Sequence, residues 1–305
     1  MATVLVTGAN RGLGLEFTRQ YAALGWDVIA CARRPDAATD LAGLAHASGS
    51  RVVVEQLDVA DHGSVDAAAR RVGGRAIDLL LNSAGTMGRG SRVGAGFPTS
   101  RFGEIDYADW EEIFRVNVTG PMKVTEAFVD NVARSTGRRI VALSSVVGSI
   151  AGNTSGGLYA YRASKAALNA YMKSLAIDLG RERGLVVAVL HPGWVRTDMG
   201  GPRADIDAPE SVAGLIKVIA GLDAGKAGRF WRYDGSELPW YLRVRRAPRL
   251  AVAALRAVSA RSGARGTSRR PSGSRRRRVH RAPDRRVRLN TSCWPRRSAG
   301  SSLPS

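Results

Sequence analysis

The sequence predicts an α/β fold: a doubly wound, mostly parallel sheet with helices on both faces, forming a single domain that ends in a basic tail. Three observations carry that expectation. Short β-branched runs alternate with longer helical runs from Thr3 to Leu190, the pattern of repeated βαβ units. A glycine-rich turn, Gly8-Ala-Asn-Arg-Gly12-Leu-Gly14, joins the first strand to the first helix. Polar or turn residues stand just beyond later strands, at Asp58, Asn82, Ser145 and Pro192. In a sheet of parallel strands all five signals fall on one edge, where such sheets bind ligands.

Taken in order, Thr3–Thr7 (TVLVT) is apolar and β-branched and runs into the glycine turn. Leu15, Tyr21, Ala22 and Leu24 then give a helix its apolar face. Asp27–Ala32 is a second strand that stops at Arg33-Arg34-Pro35. Residues 37–46 read as a helix, and Arg51–Leu57 as a third strand ending at Asp58. Helix 62–72, strand 76–81, helix 107–133, strand 139–144, helix 159–182 and strand 185–190 continue the alternation. Residues 86–106 are rich in Gly, Arg and Ser, follow the fourth strand and could wall a cleft there. Residues 198–207 could lid the same cleft. Tyr159 and Trp194 are candidate wall residues, or simply packing.

Charge divides the 305 residues unevenly. Residues 1–240 hold 27 Lys and Arg against 25 Asp and Glu, whereas residues 241–305 hold 19 Arg, no Lys and one acid, Asp284. The basicity therefore belongs to the tail, and the body asks for no acidic partner. Arg243, Arg245, Arg246 and Arg249 interleave with Leu250, Val252 and Leu255, which could form a short basic amphipathic helix. Beyond Ser259 the low apolar content cannot support a core and predicts disorder. Such a tail could contact nucleic acid through phosphates, or anionic lipid. A 65-residue tail with 19 Arg and no Lys is better matched by GC-rich sequence translated out of frame or past a stop.

Two cysteines, Cys31 and Cys293, are too few for a disulfide framework or a metal cluster, so no metal site is expected. No uninterrupted apolar run reaches the roughly 18 residues of a membrane span. The N-terminus enters a strand at once, leaving no room for a signal peptide, and a cytoplasmic location is expected.

Chemistry concentrates at Tyr161-Arg-Ala-Ser-Lys165. Four residues apart on a helix, the phenol and the ammonium lie about 5–6 Å apart at Cβ. A phenol with a pKa near about 10 seldom ionises at neutral pH. A neighbouring cation favours phenolate and so would tune it for proton transfer. Ser144-Ser145, at the end of the preceding strand, offers a hydroxyl for a carbonyl oxygen. That equipment suits carbonyl reduction or alcohol oxidation, given a hydride source. The glycine turn supplies a place for one, because Gly8, Gly12 and Gly14 let backbone approach a pyrophosphate at a helix N-terminus.

Together these motifs resemble the short-chain dehydrogenase/reductase family over roughly residues 3–240, which implies a Rossmann-type sheet. The resemblance includes Thr7–Gly14, Asp58, Asn82-Ser-Ala-Gly85, Asn117, Ser145, Tyr161/Lys165 and Pro192-Gly-Trp-Val-Arg-Thr197. Residues 148–161, 191–201 and Tyr233-Asp-Gly235 are similar to the C-factor/sniffer group of carbonyl reductases. Arg229–Gly235 resembles the family's last short strand and turn. The interval from Ser145 to Tyr161 is longer than is usual in the family.

The resemblance implies roles. Tyr161 would protonate the carbonyl oxygen, Ser145 rather than Ser144 would hold it, and Lys165 would lower the Tyr161 pKa and bond the nicotinamide ribose. Asn117 would link Lys165 to solvent, although a helix-interior asparagine can simply bond neighbouring backbone. Cofactor contacts are implied for Gly8, Asn10, Arg11, Gly12, Leu13, Gly14, Arg33, Asp58, Val59, Asn82, Ala84, Gly85, Pro192, Gly193, Val195 and Thr197. Asp58 would meet the adenine amine, and it also suits a helix N-cap. Where NAD-preferring relatives carry Asp, this chain has Ala32, followed by Arg33 and Arg34, with Arg11 close by in the glycine turn. The missing carboxylate and the added cations imply NADP(H). The expected partner is a small carbonyl or alcohol. Helices 107–133 and 159–182 resemble those that pair in the family's homodimers and homotetramers.

Overall fold

The computed structural model describes residues 1–89 and 102–240, and the statements below concern these. The chain divides into two units, Met1–Val244 and Arg245–Ser305. The Arg-rich tail expected over 241–305, and most of the cleft wall expected over 86–106, lie outside the described residues.

The alternation is as the residue pattern implies. Strands β1 (Thr3–Thr7), β2 (Asp27–Ala32), β3 (Val52–Gln56), β4 (Leu79–Asn82), β5 (Arg139–Leu143) and β6 (Val186–His191) are interleaved with helices. These are α1 (Gly12–Ala23), α2 (Thr39–Ala47), α3 (His62–Val72), α4 (Tyr107–Phe114), α5 (Gly120–Ala133) and α6 (Tyr159–Arg183). A short parallel pair, β7 (Val195–Arg196) and β8 (Ile206–Asp207), leads into α7 (Ala208–Ala220), then β9 (Phe230–Arg232) and β10 (Glu237–Leu238). The large sheet has the order β10-β9-β6-β5-β4-β1-β2-β3, parallel except where β10 meets β9. The order reverses between β1 and β4, which opens a crevice beyond their carboxyl ends.

Successive side chains of a strand point to opposite faces, and each face has its own core. Val4, Val6, Leu79, Leu81 and Val141 pack under Phe17, Tyr21, Leu41, Val212 and Leu215, from α1, α2 and α7. Leu5, Leu80, Ile140 and Val187 pack under Val65, Phe128, Leu168 and Met172, from α3, α5 and α6. Each fully buried side chain of this size contributes roughly 1.5–3 kcal/mol.

Three elements differ from expectation. The fourth strand starts at Leu79 rather than residue 76, because Asp78 serves as a junction: its carboxylate accepts from Thr3 N at 2.8 Å and Gly137 N at 2.9 Å. The single helix expected over 107–133 is interrupted by a π-helical turn at Arg115–Thr119. Pro121 has no N–H to donate to the carbonyl four residues back, at Asn117, so the ladder widens there. Helix α7 was not anticipated, although Val212, Leu215 and Ile219 are buried at helical spacing behind Pro209.

Candidate active site

The crevice is built first by glycines. Gly8 has φ +67°, and a Cβ there would lie 2.9 Å from Ala84 Cα; one on Gly14 would lie 2.2 Å from the Gly8 carbonyl oxygen. Side chains at either position would force the end of β1, the 82–85 turn and α1 apart. Thr7 Oγ1 accepts from both Ser83 N and Ala84 N at 3.1 Å, which locks that turn to β1. No side chain caps α1 at Arg11, so the N–H groups of its first turn remain available to an anion. A methyl group on Gly12 would stand 3.6 Å from Thr197 Cγ2, in van der Waals contact, so the loop after β6 lies close against the glycine turn. The turn and its free N–H donors suit a dinucleotide pyrophosphate.

The other expected cofactor residues border the same edge. Asn10, Arg11 and Leu13 stand on the glycine turn, and Arg33 and Arg34 are exposed just past β2. Arg11 pairs with Asp198 at 2.8 Å, tying the turn to the segment expected to lid the cleft. Asp58 does not cap α3; Asp61 does, accepting from Gly63 N, while Asp58 Oδ1 accepts from Ala60 N at 3.0 Å. Val59 is buried. Asn82 donates to Thr125 Oγ1 at 3.3 Å, and its buried Oδ1 has no partner among the described residues. Ala84 and Gly85 continue that turn, and a Cβ on Gly85 would lie 3.6 Å from Lys165 Nζ. Pro192 O accepts from Ser211 Oγ at 2.6 Å, Gly193 turns the chain at φ +86°, and Val195 is buried. His191 is held near about 4 by burial and by the Arg232 charge, so it is a neutral imidazole at pH 7.

Ser145, Tyr161 and Lys165 converge beside this crevice. The two adjacent serines separate clearly. Ser144 is buried and donates to Asn169 Oδ1 at 2.7 Å, whereas Ser145 is near enough to the Tyr161 phenol to favour its ionised form. Lys165 Nζ donates to Leu143 O at 2.9 Å and lies 5.8 Å from the Tyr161 ring centroid. Burial lowers the Lys165 ammonium to about 8, so it stays charged at pH 7. Burial pushes the Tyr161 phenol up to about 12, against the smaller opposing effect of the Ser145 hydroxyl. Burial thus pushes the phenol the opposite way from the tuning towards neutrality expected of the neighbouring cation. Asn117 is buried in the π-helical turn; its side chain accepts from Thr86 N and donates to Thr86 O, both at 2.8 Å, and donates to Ser164 Oγ at 3.0 Å. Its partners are thus the Thr86 backbone and the Ser164 hydroxyl, and Lys165 is not among them.

A cavity of about 110 Å³ opens at Tyr161, lined by Met87, Glu104, Ile105, Asp106, Asp109, Trp110, Ile113, Leu158 and Ala160. Neither expected wall residue lines it. Tyr159 is partly exposed at the start of α6, and Trp194 closes its own loop by donating to Gly200 O at 2.9 Å. Sequence reading missed Trp110 and Leu158. The regular aromatic ladder Tyr107, Trp110 and Phe114, stacked at 6.5 and 6.0 Å, was the available signal for the first. No group of three or more His, Cys, Asp or Glu able to hold a metal ion occurs among the described residues, and none of their helices is long and apolar enough to cross a membrane.

Known proteins share this construction. The family model for short chain dehydrogenase matches residues 2–207. C-signal of Myxococcus xanthus is 45% identical over 164 residues, which is 54% of this chain and 93% of that protein. The carbonyl reductase Sniffer of D. melanogaster is 32% identical, with a TM-score of 0.70 over 79% of this chain and 100% of its own. An NADPH-bound carbonyl reductase from chicken fatty liver is 33% identical, with a TM-score of 0.70 over 79% of this chain and 99% of its own.

Proposed function

The chain belongs to the short-chain dehydrogenase family, and from that premise we propose that it reduces a small carbonyl compound with NADPH, or oxidises the corresponding alcohol. The observation that carries the proposal is Tyr161 lining a cavity, with the Ser145 hydroxyl near enough to favour its ionised form and the Lys165 ammonium 5.8 Å from its ring. Gly8, Asn10, Gly12, Leu13 and Gly14 would hold the pyrophosphate, with Arg33 and Arg11 at a 2′-phosphate and Asp58 and Val59 at the adenine. Asn82, Ala84, Gly85, Pro192, Gly193, Val195 and Thr197 would line the remainder. Bound NADPH would supply hydride to the carbonyl carbon.

The chain's own residues handle the oxygen. Tyr161 is protonated at neutral pH and gives its phenolic proton to the carbonyl oxygen, a transfer worth typically 10²–10⁴-fold in rate. Ser145 hydrogen-bonds the same oxygen and fixes its place. The Lys165 ammonium favours the phenolate left behind. Asn117 braces Thr86 and Ser164 around the lysine. Met87, Trp110, Ile113 and Leu158 give the substrate apolar and aromatic contacts, and Glu104, Asp106 and Asp109 line the same compact cavity. A cytoplasmic setting agrees with the free, buried thiol of Cys31, and pairing through α5 and α6 would give a homodimer or homotetramer.

The similarity to C-signal favours a second reading, a nucleotide-binding signalling module without turnover. One assay separates the two: NADPH and NADH consumption with a panel of ketones, aldehydes and quinones. Carbonyl-dependent NADPH oxidation is expected. Cofactor binding with no turnover across the panel would favour the signalling module.

A further inference from the structure

Ser145 and Tyr161 meet although they sit at opposite ends of one segment, residues 146–158, which must therefore hold a fixed shape. It has little regular structure of its own. After the single 3-10 turn Val146–Gly148, it is closed by local bonds, Gly152 N to Ser149 Oγ at 3.1 Å and Gly156 N to Asn153 Oδ1 at 3.0 Å. Residues 150–156 are exposed, Ile150 by 80%. The last three residues before α6 are all left-handed: Gly156 and Gly157 at φ 65°, then Leu158 at φ 51° and ψ 36°. Glycine accepts that conformation freely, whereas leucine is strained in it and stays only where its surroundings impose it. Leu158 lines the cavity at Tyr161.

Arg162 supplies that constraint. From the first turn of α6 its guanidinium reaches back over the segment. Nε donates to Gly157 O at 3.2 Å, Nη1 to Val147 O at 3.3 Å, and Nη2 to Ser155 Oγ at 2.8 Å. One planar group thus joins a residue next to Leu158, a residue two past Ser145, and the middle of the loop. Its own N–H donates to Leu158 O at 2.8 Å, starting the helix. Gly148 provides a second anchor, packed so that a Cβ would lie 2.9 Å from the Lys165 carbonyl carbon. A lysine could not reproduce the clamp, since a single ammonium cannot present a flat fork to three acceptors.

We infer that Arg162 is a positioning residue: it clamps residues 146–158 so that Ser145 faces Tyr161 and the strained Leu158 forms the wall of the substrate cavity. Its effect on rate rests on the proposed carbonyl reduction; its effect on the segment does not. The test compares the full-length protein with its Arg162→Met and Arg162→Lys variants by amide hydrogen exchange and by steady-state kinetics with NADPH and the best carbonyl of the panel. In Arg162→Met, exchange across residues 148–157 accelerates by at least about 10-fold, as lost charge-assisted hydrogen bonds imply, while the sheet keeps its protection. kcat/KM falls roughly 10- to 100-fold, the scale of a misplacement near 1 Å. The NADPH Kd stays within about 2-fold, because no residue of the clamp stands on the glycine turn. Arg162→Lys falls between the two. Should Arg162→Met not fold, Ser155→Ala removes one arm of the clamp from an exposed position, and faster exchange confined to residues 153–157 is expected.

Unchanged exchange in these variants overturns the clamp. Faster exchange with unchanged kcat/KM overturns the positioning role, as does a uniform loss of sheet protection together with weaker NADPH binding. No turnover by the unmodified protein counts against carbonyl reduction, and exchange then still decides the clamp.

Discussion

Lys165→Met removes an ammonium that is only 5% exposed and donates to the Leu143 carbonyl. Burial lowers its pKa from 10.5 to about 8 in the folded protein, which corresponds to about 3 kcal/mol against the charged form. Below about pH 8 the folded and unfolded chains both hold the proton, and the folded state bears the whole cost of burying it. Between about pH 8 and pH 10.5 the folded protein releases the proton while the unfolded chain keeps it, so stability rises with pH across that window. Tyr161, pushed up to about 12, gives the opposite slope, but only above about pH 10. The assay is urea unfolding of cofactor-free protein at several pH values, for unmodified protein and Lys165→Met in parallel; subtraction cancels the titrations they share. From about pH 7 to pH 10, the difference in unfolding free energy should move in favour of the unmodified protein by about 2.5 kcal/mol. A difference that stays flat, or moves the other way, would mean that Lys165 is not a desolvated ammonium at neutral pH and that its assigned place beside Tyr161 is wrong.

Other perturbations follow from the same site. NADPH should bind more tightly than NADH by several-fold or more, since charge-assisted bonds to a phosphate contribute about 1.5–3 kcal/mol. Ala32→Asp with Arg33→Ala should reverse that preference, and equal affinities in the unmodified protein would remove the basis for it. Deleting residues 241–305 takes away 19 Arg and one acid; Tm, NADPH affinity and kcat/KM of the 1–240 protein should stay close to those of the full chain. A large loss in any of them would place part of the tail in the fold.

Local chemistry made most of the sheet legible. Strands such as Leu79–Asn82 and Val186–His191 are buried on both faces and read as continuous apolar runs, and the glycine turn announces where β1 hands over to α1. Pro121 was a visible signal for the break in the helix at Asn117, but proline alone does not say whether a helix stops, kinks or widens. The Tyr161–Lys165 pair was legible because helical spacing alone brings those side chains together. Contacts made by tertiary approach were not. Arg11 meets Asp198 across 187 positions of sequence, Ser144 finds its partner Asn169 25 positions on, and Trp110 reaches the cavity because α4 lies against α6. The Tyr161 pKa also eluded the sequence, since spacing shows the cation but not the burial that outweighs it.

The most direct measurement of the central claim is the turnover of Tyr161→Phe with NADPH and a carbonyl substrate that the unmodified protein reduces. The substitution removes a single hydroxyl, the one whose ionised form Ser145 favours. With the proton donor gone, kcat/KM should fall by at least about 10²-fold, the scale of general acid catalysis, while NADPH affinity barely changes. Near-unmodified turnover by Tyr161→Phe would contradict the account, because another group would then be delivering the proton.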